Sequence, residues 1–144
     1  MTGSTISSQL SICNAMSKRN IHIERLREYA IKHSKLGDYS IHGVSHWDRV
    51  AKNADALLTS DVDELVVKAF AYIHDVEREN ESDDWQHGPR AALLIDEIRY
   101  SVLSFLNDKE IETNSSFCRV RPLSIAHSYK CFERFKRFRT QFDG

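Results

Sequence analysis

The stretch from Val62 to Ile73 constrains the fold of this chain most. Val62, Leu65, Val66, Ala69, Phe70 and Ile73 recur at the 3.6-residue spacing of an α-helix with one buried face. Asp61 and Glu64 supply the acidic start that suits a helix N-terminus. The same period returns elsewhere. From about Ile21 to Leu36 it places Ile23, Leu26, Ala30 and His33 on one side, with Gly37 as the stop. From about Ser45 to Leu58, with Ser45 as N-cap, it aligns His46, Val50, Ala54 and Leu57. The polar run from Val76 to Gln86 predicts a loop. From about His87 to Leu106 the inner stripe is Ala91, Leu94, Ile95, Ile98, Val102 and Phe105, with Pro89 in the first turn and His87 one turn before Ala91. Asn107 to Arg121 predicts a short helix and a loop. Pro122 then opens a further helix with Leu123, His127, Cys131, Phe135, Phe138 and Phe142 on one side.

Breakers are scarce, with 5 glycines and 2 prolines among 144 residues, and no run alternates cleanly between apolar and polar. Both facts argue against a β-sandwich or barrel. The expectation is an all-α bundle of five to six helices. It forms one domain over 21–144, behind a Ser/Thr-rich, poorly specified segment, 1–20. A hydrophobic fraction of 41% excludes a disordered chain.

The net charge of −1 gives no signal for nucleic acid or for a membrane surface, and no segment approaches 18 consecutive apolar residues. Charge is nevertheless uneven. Asp61 to Asp84 holds nine acidic residues against Lys68 and Arg78, whereas Phe117 to Phe142 holds seven basic residues against Glu133. Two readings follow: surfaces that attract each other, or a basic flank that faces phosphate. Cys13, Cys118 and Cys131 form no CxxC pair, so neither a thiolate zinc site nor a disulfide framework is indicated. Lys18 and Arg19 follow the short apolar patch of the N-terminus instead of preceding it, the wrong order for a secretory signal. The expected location is cytoplasmic.

His46, His74, His87 and His127 each fall on the apolar stripe of a different predicted helix. Taken singly, such a histidine is more often a hydrogen-bonded core residue. Jointly they need partners, because a buried polar group without one costs about 1–3 kcal/mol. A shared metal ion supplies such a partner. Asp75 adjoins His74, and imidazole plus carboxylate suits a divalent ion such as Mn, Fe, Ni, Co or Zn, with Mg also open. His22 and His33 lack such company and read as structural or surface residues.

The texts Ile-His-Gly-Val-Ser-His-Trp-Asp-Arg-Val (41–50), Ala-Tyr-Ile-His-Asp-Val-Glu-Arg-Glu-Asn (71–80) and His-Gly-Pro-Arg-Ala-Ala (87–92), with Asp84 between the last two, agree in order, spacing and helical phase. Over about residues 38–98, and more weakly around Ser124 to Ser128, the chain resembles the HD-domain superfamily of metal-dependent phosphohydrolases. The resemblance implies a helical bundle whose metal is held by a His, a His-Asp pair and a distal Asp. Here these are His46, His74 and Asp75. Relatives carry the distal Asp after the segment that resembles His127, commonly in an Asp-Ala-Asp text. This chain has no such text, so it reads as a shortened member in which Asp143 is the remaining candidate.

The resemblance further implies that His87 and His127 contact phosphate or a second ion, and that Arg78, Asn80 and Asp84 follow the pair as substrate-side residues. Arg78 then grips phosphate; alternatively it is a loop charge neutralising Glu77, Glu79 and Glu81. Asp84 orients water or acts as base; alternatively it caps the helix that begins at His87. Arg49 reads as a carboxylate partner. The expected activity is phosphoester hydrolysis on a small phosphorylated substrate, with nucleotides among the candidates. The alternatives are a catalytically weak helical module that binds a partner through Phe132 to Phe142, and oxygenase chemistry at a di-iron site.

Overall fold

A computed structural model describes residues 4–58 and 63–119. Among them every regular element is a helix: α1 (Ser4–His33), α2 (Val44–Leu57), α3 (Glu64–Ile73), α4 (His87–Ile98) and α5 (Asp108–Arg119). None is long and apolar enough to cross a membrane. Val62, the Pro122 helix, His127 and Asp143 lie outside the described residues, as does the side chain of Leu57.

The central helix is α3, which packs against α1, α2 and α5. Its sequence accounts for this position. Val66, Val67, Ala69, Phe70, Ala71, Tyr72 and Ile73 are all buried, so the helix is apolar nearly all round, as a helix inside a bundle must be. Asp63 caps it, its carboxylate accepting from the Leu65 N–H at 2.8 Å.

The hairpin of α2 and α3 is antiparallel. His46 meets His74, Asp48 meets Tyr72 and Asp55 meets Lys68, so one residue number climbs as its partner's falls. The buried face of α2 keeps Ala54 of the predicted stripe but is shifted at its start. Trp47, Ala51 and Ala54 are buried, whereas His46 and Val50 lie on its flank. The indole of Trp47 has the largest apolar area on this helix, and burying it turns the helix by about one residue, or roughly 100°. Ser45 is not the N-cap. Gly43 is, and its carbonyl accepts from the N–H groups of His46 at 2.9 Å and Trp47 at 3.1 Å.

α1 begins in the segment read as poorly specified. No glycine or proline interrupts Ser4 to Leu36, so nothing breaks the helix despite its polar start. Among its described side chains the buried ones, Ile23, Leu26 and Ala30, lie in its second half, while Ile12 and Met16 are exposed. His33 is exposed too, stacked on Tyr29 with ring centroids 3.9 Å apart. The chain turns at Gly37, which sits at positive φ (76°) four residues beyond the helix end.

α4 ends earlier than its periodicity predicts. After Ile98 the Leu103 N–H reaches back five residues to the Ile98 carbonyl at 3.2 Å, and this wider winding keeps Leu103 and Leu106 buried without a regular helix. α5 is longer than a short helix and loop. A reciprocal cap starts it: the Asn107 side chain accepts from the Glu110 N–H at 3.0 Å, and the Glu110 carboxylate from the Asn107 N–H at 2.7 Å.

α4 and α5 cross tightly at Gly88, next to His87. A Cβ on Gly88 would lie 2.0 Å from the Cys118 carbonyl oxygen. Backbone cannot yield as a flexible side chain does, so Gly88→Ala is expected to destabilise the protein by about 1–3 kcal/mol, the usual cost of overpacking. A urea midpoint equal to that of wild type would contradict this crossing.

Candidate metal centre

The C-terminal end of α3 leaves backbone carbonyls without intrahelical partners. His74 bonds to main-chain oxygens there. Its Nδ1 lies 3.1 Å from the Phe70 oxygen and 3.0 Å from the Ala71 oxygen. A carbonyl only accepts, so Nδ1 carries a proton and donates it. The other ring nitrogen, Nε2, is thereby turned toward Asp75 Oδ2 at 3.2 Å and His46 Nε2 at 3.3 Å.

Asp75 occupies the turn just past α3 and is 5% exposed. A buried carboxylate needs partners in quantity, and five cationic or imidazole groups surround this one. Toward Oδ2 come His74, His42 Nδ1 at 3.4 Å and His46 Nε2 at 3.4 Å. Toward Oδ1 come His87 Nε2 at 3.5 Å and Arg78 Nη1 at 3.7 Å. Five segments thus converge on one side chain: the loop before α2, α2 itself, the end of α3, the loop after it and the start of α4.

The charge states follow from this packing. Burial alone opposes charge on His74, yet the adjacent Asp75 carboxylate and the hydrogen bonds to Asp75, Phe70 and Ala71 outweigh it and raise its pKa. His46 is driven the other way, to about 4, by burial first and then by the neighbouring His74. Two imidazoles 3.3 Å apart disfavour double charge, and the proton stays on His74, whose ring is bonded to Asp75, Phe70 and Ala71. Asp75 resists the upward pull of burial, because His74, His42 and His87 hold its carboxyl well below the ordinary range.

The cluster of His42, His46 and Asp75 could hold a metal ion. Donors bound at about 2.0–2.2 Å in a tetrahedron stand about 3.3–3.6 Å apart. Three imidazole nitrogens stand 3.2–3.4 Å from Asp75 Oδ2, and those of His46 and His74 stand 3.3 Å apart. His42, His46 and Asp75 in particular can place one ligand atom each within 4.8 Å of one another. The side chains of His42 and His46 are 26% and 20% exposed, against 4% for Asp75 and 8% for His74, so solvent reaches the cluster from the α2 side.

His46, His74, Asp75 and His87 are therefore brought together, as their places in the sequence predict. His42 is the residue that periodicity missed. It precedes α2 in a loop, where no helical stripe marks it, and its only signal is its four-residue spacing from His46. That loop is tied to the one after Asp75 by the Ile41 N–H, which donates to the Glu81 carboxylate at 3.3 Å.

Arg78 is buried instead of solvated. Its Nε donates to the Asn80 carbonyl at 3.1 Å and its Nη2 to the Ser82 carbonyl at 2.8 Å, leaving Nη1 aimed at Asp75 and His87. Glu77 and Glu79 are instead paired by Lys35 at 2.8 and 3.3 Å. Asp84 is not the cap of α4, whose N-cap is Gln86 without a side-chain bond; its carboxylate instead braces the loop before the helix. It accepts from the Gln86 N–H at 3.2 Å, from the Glu79 N–H at 2.8 Å and from Arg90. Its backbone carbonyl also receives His87 Nδ1, which turns His87 Nε2 to the Asp75 side. Asn80 is exposed and braces the loop, its Oδ1 accepting from the Ser82 N–H and hydroxyl.

Comparison of the chain with protein-family models, curated proteins and solved structures returns no match.

The electrostatic account has a direct check in the metal-free protein. In wild type the His74 imidazole is expected to titrate above the ordinary value of about 6.5. In Asp75→Asn, where burial acts without the carboxylate, it is expected to titrate below that value. Ring-proton NMR across pH 4–9 reads both. An unchanged His74 titration in the variant would contradict the pairing.

Proposed function

We propose that this chain is a divalent-metal-dependent phosphohydrolase of the HD type, acting on a small phosphorylated substrate. The observation that carries the reading is the convergence of three imidazoles on one oxygen of a buried carboxylate at separations that suit ligands of a single ion. His42, His46, His74 and Asp75 would hold the metal. Three neutral imidazoles and one carboxylate favour Mn, Fe, Ni, Co or Zn over an all-oxygen ion such as Ca. When bound, such an ion supplies strongly acidified water at neutral pH, its pKa near 7 compared with 15.7 in bulk.

The chain's own residues account for the rest. Arg78, locked by two backbone carbonyls, presents Nη1 beside Asp75, where it can donate to a phosphate oxygen. His87 stands next to it with Nε2 inward, suited to the same phosphate or to a second ion. His46 stays neutral at physiological pH, as a nitrogen donor must. In this reading Asp84 acts through Arg90 and His87, since its carboxylate is engaged by Glu79, Gln86 and Arg90. His127 and Asp143 remain substrate-side and metal candidates from the sequence resemblance.

The experiment pairs metal analysis with a phosphoesterase assay. Wild-type protein is expected to retain a transition metal and to hydrolyse p-nitrophenyl phosphate. His46→Ala and Asp75→Ala are expected to lose most of the metal, and at least about 100-fold of the activity, while staying helical. Unchanged metal content in both variants would overturn the reading. Metal retention with no turnover on any phosphoester would favour a non-catalytic helical module, for which the exposed Ile12 and Met16 of α1 offer a contact surface.

A further inference from the structure

The α2–α3 hairpin is joined by three side-chain pairs. His46 and His74 meet at 3.3 Å, Asp48 and Tyr72 at 3.1 Å, and Asp55 and Lys68 at 3.0 Å. The first belongs to the metal centre and the last lies at the far end of α2. The middle pair lies two residues from the first, about 3 Å along the helix axis, whereas Asp55 is nine residues from His46, about 13.5 Å away.

The middle pair is also anchored to a third helix. Arg27 of α1 grips both oxygens of Asp48, its Nε donating to Oδ1 at 2.9 Å and its Nη2 to Oδ2 at 2.8 Å. The planar fork of a guanidinium matches a carboxylate in this bidentate fashion and fixes orientation as well as distance. The Tyr72 hydroxyl, on a side chain buried in α3, donates to the same Oδ1. Asp48 is thus fixed by two helices at once.

A stability role alone does not account for this arrangement. The ion pair is partly exposed, 29% on Arg27 and 42% on Asp48, and such pairs add little to global stability. Register is more demanding. A slide of α2 by a single residue moves His46 about 1.5 Å along α3, whereas a working donor constellation tolerates about 0.5 Å. The apolar contacts of Trp47, Ala51 and Ala54 are non-directional and resist a small slide weakly.

We propose that Asp48, held by Arg27 and Tyr72, is a positioning residue of the metal centre: it sets the register at which α2 presents His46 to His74 and Asp75. This rests on the metal-binding reading above. Asp48 touches neither the ligand cluster nor a substrate; it acts through the helix that carries His46.

Cobalt(II) titration of the full-length, chelator-treated protein, followed by visible absorption, tests the proposal alongside urea unfolding. Asp48→Asn keeps the shape and loses the charge, and Tyr72→Phe removes one hydroxyl. Each is expected to weaken cobalt binding by about 10–100-fold, the range typical of groups that support metal ligands, and to shift the cobalt absorption band. Asp55→Asn, at the far end of the same hairpin, is expected to bind cobalt as wild type does. Should Asp48→Asn fail to fold, Tyr72→Phe carries the test. Wild-type affinity and an unchanged band in both Asp48→Asn and Tyr72→Phe would overturn the positioning role. So would an equal loss in Asp55→Asn, which would make the effect one of general hairpin stability. Failure of the wild-type protein to take up cobalt would instead overturn the metal reading itself, and the positioning role with it.

Discussion

The burial of one carboxylate organises this molecule. Placing the charge of Asp75 at the end of the most apolar helix costs free energy that only a dense set of partners can offset. Those partners come from widely separated parts of the chain. His42 and His46 arrive with the segment entering α2, Arg78 with the loop after α3, and His87 with the first turn of α4. Removal of the carboxylate would leave several imidazoles and a guanidinium facing one another in a water-poor space. The arrangement of α2, α3 and α4 near this point therefore has to satisfy electrostatics as well as packing.

Backbone carbonyls give the cluster its direction. Main-chain oxygens at the end of α3 orient His74, and the Asp84 carbonyl orients His87. In both rings Nδ1 is engaged by main chain and Nε2 faces Asp75. Histidines held in this way are ready to give a lone pair to a cation, since their second nitrogen has been committed elsewhere. The two carboxylate oxygens also differ in company: imidazoles alone gather at Oδ2, whereas a guanidinium shares Oδ1 with His87. The same residue can thus face a cation on one side and share an anion-attracting group on the other.

Much of this was legible in the residues. The period of α3 and the His-Asp pair closing it can be read directly, and so can the placement of His46 and His87 at the starts of two further helices. What was not legible has physical reasons. On α2 a stripe through His46 and a stripe through Trp47 differ by one residue, and only packing decides that the indole goes inside. His42 carries no periodic mark because its loop has no period. The length of α1 was hidden by a polar composition, although the absence of glycine and proline over that stretch was visible. The roles of Arg78 and Asp84 depend on which loop carbonyls and N–H groups lie within reach, and no spacing rule supplies that.

The central claim is that the imidazoles gathered around Asp75 bind one divalent ion. X-ray absorption at the metal edge of the cobalt- or zinc-loaded protein tests it most directly. The account predicts a nitrogen and oxygen shell at about 2.0–2.2 Å, together with the outer-shell scattering that rigid imidazole rings produce, diminished in His42→Ala. An all-oxygen shell without imidazole scattering, or a spectrum indifferent to His42→Ala, His46→Ala and Asp75→Ala, would contradict it.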